Sequence, residues 1–533
     1  MRLKVAIWIA VGLVGTLVTL TIVAAAGSRT KPLRELVIAT LEERLESDVE
    51  LESFSVDMFP RVVIAGSGLV IKLRNEKLPS NVPPLIQIKS FTVHCGLMDL
   101  MSRPRKFKRV QLEGLVINIP PGGLKKDSGQ NPITSALKSQ DSEIVRKASN
   151  PKHPEEAPII IDELVADGAL LRIIPRKEGK EPKEFAIHTL TMERLGFAQA
   201  MPFKATLTNP IPKGEIDTDG TFGPWQREDP STTPLAGKYT FNNAKLDTIK
   251  GIGGTLSSKG TFNGEIDRIG VKGDTQTPDF SIDVSGQTVS LDSTFEAVVD
   301  GTDGDTYLTR VDAKFLKTSL TASGAVIGTK GIKGRTVKLH VRIHEGRIED
   351  LLHLATKAKK PLMVGRMALH TDFLLPPGQR DVMDRLQLQG EFDLGAAKFT
   401  SPDVQQKLKG MSMRARGLDP QDKADNVVSN MDGHFRLRDG TLWLEPVSFE
   451  MPGATVQLNG SYGLRNEALA FDGTLRMQAT ISQASGGGVK GFFLKAVDPL
   501  FRKKGAGALI PIRVGGTVDQ PKFGVNIGKV FKK

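Results

Sequence analysis

Three histidines, His340, His344 and His353, are the first residues in this chain that invite a metal. His340 and His344 fall on one parity of an alternating segment that reads as a strand. At i and i+4 of a strand two Cα atoms are about 13 Å apart, too far for one zinc with bonds near 2.1 Å. They read as solvated polar-face residues. The acidic turn Asp300, Asp303 and Asp305, with Gly301 and Gly304, offers the oxygens that calcium takes. An EF-hand, however, needs a distal Glu after its glycine-centred loop, and here a strand resumes at Tyr307, so a hairpin turn fits better. No nucleophile-elbow, H-E-x-x-H, Walker or Rossmann pattern stands in a fitting context. Gly486-Gly487-Gly488 lacks the strand-to-helix spacing of a phosphate cradle, and no spacing singles out two carboxylates as an acid/base pair. The lone Cys95 excludes an intrachain disulfide framework and any Cys-based zinc cluster. The expectation is a protein that is not an enzyme, with no catalytic residues, no cofactor and no metal.

What such a chain can do then rests on its elements. It has 533 residues, 39% hydrophobic and 25% charged, enough apolar surface to fold and enough length for several units or one extended sheet. Its 54 Gly and 31 Pro recur between short stretches of alternating polarity, as expected of many strands joined by turns. The net charge of +12 suits nucleic acid, anionic lipid or no partner in particular. With only 3 Trp and 3 Tyr, base-stacking platforms and the aromatic girdles of an outer-membrane barrel are both disfavoured. No helix is patterned for a DNA groove, so nucleic acid is not expected as a partner, and anionic headgroups are the better counterpart.

From Val5 to Ala26 no residue is charged, and a helix of about 20 residues spans the roughly 30 Å hydrocarbon layer. Val5, Ile7, Trp8, Ile9, Leu13, Leu17, Leu20 and Ile22 are its membrane-facing apolar residues. Ala24-Ala25-Ala26 also satisfies a signal-peptidase site, but the run exceeds the usual 7 to 15 apolar residues, which favours an uncleaved anchor. Leu33, Leu36, Val37, Leu41 and Leu45 then repeat at helical spacing. The polar side of that helix is too acidic for a membrane surface, so it is expected to pack on the first strands.

Strand-like alternation begins at Val49. It is clearest at Val337, Leu339, Val341 and Ile343, which share one parity against Lys338, His340, Arg342 and His344. Phe280, Ile282 and Val284 repeat the pattern, as do Leu386, Leu388 and Phe392. Successive strand side chains face opposite sides, so these segments predict a sheet with one apolar face and one solvated face. A short unit also recurs, as Gly220-Thr221-Phe222, Gly260-Thr261-Phe262, Gly390-Glu391-Phe392 and Gly433-His434-Phe435. Glycine inside strands permits bulges and local twist, a means of curling a long sheet. A short helix is expected at Ile348, Leu351, Leu352 and Ala355. Another is expected at Val489, Phe492, Phe493, Ala496, Val497 and Leu500. The domain plan is 1–31 cytoplasmic tip and anchor; 32–121 helix plus β unit; 122–158 polar linker or long loop; 159–480 central sheet; 481–533 C-terminal helix and closing strands.

Several landmarks now coincide: the apolar N-terminus, the amphipathic helix before Val49-Glu50-Leu51, Phe59-Pro60, and Gly114-Leu115-Val116-Ile117. Thr277-Pro278-Asp279-Phe280, Arg347-Ile348-Glu349-Asp350-Leu351-Leu352 and the closing run from Ile510 to Phe523 complete them. Together they resemble the AsmA family of bacterial envelope proteins. The resemblance implies a single-pass inner-membrane anchor with the bulk of the chain in the periplasm. It further implies an elongated, curved, mainly antiparallel β-groove similar to that of bridge-like lipid-transfer proteins, linked to outer-membrane biogenesis. Membrane phospholipid is the implied partner. Phe280, Ile282, Val284, Val337, Leu339, Val341, Ile343, Leu386, Leu388 and Phe392 are the expected groove lining. The alternative is a structural or assembly factor with dry, closed sheets that acts through envelope assembly proteins.

Overall fold

A computed structural model describes residues 34–35, 37–39, 41–42, 47–57, 61–73, 83–96, 98–99, 105–119, 159–173, 183–196, 199–224, 226, 232–301, 304–328, 334–416, 427–478, 502–503, 506–517 and 520–525. The chain is mainly β with few helices. It divides into two compact units: residues 1–244, 257–272 and 299–304, and residues 245–256, 273–298 and 305–533. The expected anchor, Val5–Ala26, and the expected helix over Val489–Leu500 lie outside the described residues. Among the described residues no helix is long and apolar enough to cross a membrane.

The first unit begins with helical residues 34–35, 37–39 and 41–42 (α1). Ten strands follow: β1 (Ser47–Glu50), β2 (Ser53–Asp57), β3 (Val62–Leu73), β4 (Ile86–Cys95), β5 (Arg105–Glu113), β6 (Val116–Ile119), β7 (Ile159–Ile173), β8 (Lys183–Leu195), β9 (Met201–Pro210) and β10 (Lys213–Phe222). Both β1 and β2 pair antiparallel with β3, and β3 with β4, so the opening is a meander. β5 and β6 then lie parallel to β7. Parallel neighbours require a crossover of a dozen or more residues, and residues 120–158 join them. The sequence shift at 122–158 therefore falls between two strands of one sheet. Val37 and Leu41 of α1 are 0% and 1% exposed among Val49, Leu51, Ile64, Phe107 and Ile161, a sealed core. Burying two such side chains contributes about 1.5 to 3 kcal/mol each. Arg34 Nε donates to the Leu51 carbonyl at 2.7 Å, and Glu42 Oε1 accepts from Val49 N at 3.3 Å. The helix packs on the first strands, as its acidic polar side predicts.

Five strands carry the middle of the chain: β11 (Pro234–Lys245), β12 (Ile252–Gly253), β13 (Thr255–Glu265), β14 (Arg268–Ile282) and β15 (Thr288–Val299). The second unit continues with β16 (Thr306–Phe315), β17 (Thr318–Gly328), β18 (Arg335–Arg347), β19 (Met363–Leu375), β20 (Gln387–Phe399), β21 (Ser429–Arg438), β22 (Thr441–Met451), β23 (Ala454–Gly463), β24 (Ala468–Met477), β25 (Arg502–Lys503), β26 (Ala506–Thr517) and β27 (Pro521–Val525). From β16 to β24 each strand pairs antiparallel with the next, and β24 pairs with β26. Among the described residues three α-helices are interposed: α2 (Ile348–Ala355), α3 (Val382–Arg385) and α4 (Pro402–Ala415).

The alternation read at 337–344 is realised in burial. Val337, Leu339 and Val341 are partly buried and Ile343 fully, while Lys338, His340, Arg342 and His344 are exposed. The Gly-x-Phe units have a concrete role. Gly390 pairs with Phe435 and Phe392 with Gly433, so two copies on β20 and β21 answer each other reciprocally, with ring centroids 6.4 Å apart. A Cβ on Gly390 would lie 2.0 Å from the His370 carbonyl oxygen, so no larger residue fits without moving backbone. Register shifts occur at Ile343/Gly346, Leu394/Ala397 and Gly433/Phe435, the bulges that in-strand glycines predict.

Sequence reasoning found α2 and missed α3 and α4. In α4, Val404, Leu408, Met411 and Ala415 do repeat at helical spacing behind Ser401 and Pro402, a helix-start signal diluted by Gln406, Lys409 and Gly410. Leu386 also needs correcting: it is not a strand residue but the C-cap of α3, one residue before β20.

Candidate functional site

The pairing registers of the second unit arrange its apolar face into rows that run across the strands. One row joins Leu339, Phe373, Leu388, Leu437, Leu442 and Tyr462. A parallel row joins Ile343, Leu369, Phe392, Gly433, Val447 and Leu458. Between them runs a third, from Val341 through Thr371, Gly390, Phe435, Leu444 and Gly460 to Phe471 and Val514. Rows are two residues apart along a strand, about 7 Å, except on β22, where a bulge sets Leu444 and Val447 three apart, and adjacent strands are about 4.8 Å apart.

Helices close the margins of this face and leave its middle. On one side Met383 of α3, with Leu386, is buried against Val284, Leu437 and Leu464, and Phe373, Leu388 and Leu442 pack around them. On the other side Ile348, Leu351 and Leu352 of α2 pack on Ile343, Met363, Met367 and Leu394. Leu408 and Met411 of α4 pack on Phe449, Met451 and Val456. Among the described residues, Leu339, Val341, Leu444, Phe471 and Val514 belong to none of these clusters and are partly exposed. Each exposes apolar surface to water that a packed core would have taken up.

The ten residues expected to line an apolar groove therefore part company. Val337, Leu339 and Val341 stay partly exposed on β18, and Phe280 stays partly exposed on β14. Ile282, Leu388 and Phe392 are partly exposed at the edges of helix-covered clusters. Val284, Ile343 and Leu386 are buried at 6%, 4% and 8% exposure, inside those clusters. Sequence reasoning missed Leu444, Phe471 and Val514. Their parity was readable, Leu444 two residues from Leu442 and Val514 two from Ile512, but their alignment with Val341 is set by strand register.

In the first unit, beyond the sealed core, Leu207 of β9 faces Ile216 of β10, both partly exposed, with Ala205 facing Thr218 beside them. Tyr239 and Phe241 of β11 and Phe262 of β13 are also partly exposed, and a Cβ on Gly237 would meet the Phe262 ring at 2.6 Å. The eight anchor residues from Val5 to Ile22 lie outside the described residues.

The polar candidates take structural parts. His340 Nδ1 is 2.6 Å from Asp372 Oδ1 across β18 and β19, while His344 points to water and His353 lies on α2. Asp305 Oδ1 accepts from Gly328 N at 2.7 Å and from Arg335 at 2.6 Å, which ties the β15–β16 turn to β17 and β18. Among the described residues no three His, Cys, Asp or Glu side chains gather to hold a metal ion. Cys95 is buried, and burial, with the charge of Asp99, pushes its thiol up to about 11, which keeps it protonated and unreactive. Comparisons with protein-family models, curated proteins and solved structures find no match to this chain.

Proposed function

We propose that this chain is a membrane-anchored periplasmic protein that carries phospholipid acyl chains along the apolar side of its sheet, in the service of outer-membrane biogenesis. The observation that supports this most is the row from Val341 to Val514, in which Val341, Leu444, Phe471 and Val514 stay partly exposed while Thr371 and Phe435 are buried, flanked by helix-covered clusters on both sides. A row about 7 Å wide matches one extended hydrocarbon chain lying across the strands. Transfer needs no bond chemistry, in keeping with the sequence's lack of a catalytic motif. The resemblance to the AsmA family supplies the anchor, the compartment and the curved groove that belong to this reading.

The helices over both margins favour a second reading, a structural or assembly factor whose sheets are dry and which acts through envelope proteins. Native mass spectrometry of the full chain after mild extraction separates the two. Co-purifying phospholipid in stoichiometric amount is the expected result. A lipid-free chain that brings down envelope assembly proteins supports the second reading.

A further inference from the structure

The opposite, water-facing side of β19–β22 carries a second feature that acyl-chain transport does not use. Registers place Asp372, Gln389, Arg436 and Trp443 side by side across four strands. Two residues along, His370 pairs with Glu391 and Glu391 with His434. Glu445, two residues beyond Trp443 on β22, completes the second line. This grid of side chains, about 14 Å across the strands and about 7 Å along them, lines a depression of about 460 Å³. Trp443 is 39% exposed at its corner, a large indole on a face otherwise given to charged and amide groups.

Two properties of the grid select a ligand class. A phosphate requires donors and an ammonium requires acceptors, whereas a hydroxyl is both at once. Here donors and acceptors alternate at single-strand intervals: Asp372 accepts through the oxygen that His340 does not hold, Gln389 does both and Arg436 donates, while Glu391 accepts between two imidazoles. With Asp372, Glu391 and Glu445 against Arg436, the carboxylates outnumber the guanidinium, which disfavours an anion. An exposed indole supplies an apolar platform next to hydrogen-bonding groups, which suits a ring with a C–H face and a hydroxyl rim.

We propose that this grid is a carbohydrate-binding site, with Trp443 as the stacking platform and Asp372, Gln389, Glu391 and Arg436 bonding the hydroxyls of one or two pyranose rings. The site lies on the other side of the sheet from the acyl row, so its occupancy is independent of the lipid reading.

The test uses the full chain in a sugar-free polyoxyethylene detergent. Cellobiose and N,N′-diacetylchitobiose are titrated by calorimetry and by saturation-transfer difference NMR, with choline chloride and inorganic phosphate as the cation and anion arms. The expected result is saturable millimolar binding of at least one disaccharide and none of choline or phosphate. Trp443→Ala is expected to weaken that binding at least tenfold, Trp443→Phe to restore most of it, and Asp372→Asn to weaken it severalfold. All three variants are expected to melt with the parent because the residues are exposed. Preferential binding of choline or phosphate, absence of disaccharide binding to the folded parent, or equal affinity in Trp443→Ala would each overturn the assignment.

Discussion

Replacing Val341 by Asp places a carboxylate at a partly exposed position of the middle row and tests the lipid reading where it is most exposed to failure. Val341 is partly exposed and flanked across the ladder by Ala322 and Thr371, so the charge keeps its water when the row is empty. The folded protein is expected to lose less than about 1 kcal/mol, as for other surface substitutions away from a core. Acyl binding is another matter. Each strand in the row supports about 4.8 Å of an extended chain, some four methylenes, each contributing about 0.8 kcal/mol when fully buried. On an open row about half of that applies, so losing the contact costs about 1.5 kcal/mol, or about tenfold in affinity. Desolvating the carboxylate against hydrocarbon adds to the loss. The assay is phospholipid per chain by native mass spectrometry, alongside titration with a fluorescent-acyl phospholipid. Lys338→Asp makes the matched control, since it puts the same charge on the solvated face of the same strand and is expected to leave lipid uptake unchanged. If Val341→Asp melts normally and carries as much lipid as the parent, acyl chains do not lie on this row and the reasoning fails.

Gly390→Val is expected to lower the melting temperature by many degrees, because its side chain would be forced against the His370 carbonyl and the Thr371 backbone of the neighbouring strand. Met383→Ala should cost about 2 to 3 kcal/mol in denaturant unfolding, the range for a buried methionine that leaves a partial cavity. Arg465→Ala, which removes an exposed guanidinium from ion pairs to the partly buried Asp381 at 3.2 Å and Asp384 at 3.0 Å, should cost about 1 kcal/mol or less. That small difference should vanish in high salt. Cys95 should resist maleimide at pH 8 until the chain is unfolded. Its folded thiol titrates near 11 against 9.0 for an ordinary one, so the unfolded chain loses its proton first. Stability is therefore expected to fall as pH rises from about 9 to about 11 in chemical denaturation of the native protein, and to fall less over that window in Cys95→Ala.

The parity of each strand was legible along the chain because alternation is local: Val337 to His344 takes its two faces from nothing more than the order of its residues. The helix at Ile348–Ala355 was readable for the same reason, from spacing over eight residues. The Gly-x-Phe units were visible as a repeat, but not that Gly390 and Phe392 would be answered by Phe435 and Gly433, since that depends on a register between strands some forty residues apart. Burial of Val284, Ile343 and Leu386 was equally hidden. Their sequence signature is that of their exposed neighbours, and only the packing of α2 and α3 onto one margin or the other separates them.

Composition and periodicity by themselves determined a β protein with one oily side and one wet side, because a pleated strand has no other way to place alternating residues. Tertiary structure alone decided which part of the oily side stays open. Covering a row takes a helix in the right place, and the pairing registers that align Val341 with Phe471 and Val514 are set by turns and bulges distant in the chain. The same registers gather Asp372, Gln389, Arg436 and Trp443 from four strands, a juxtaposition that no single segment of sequence contains.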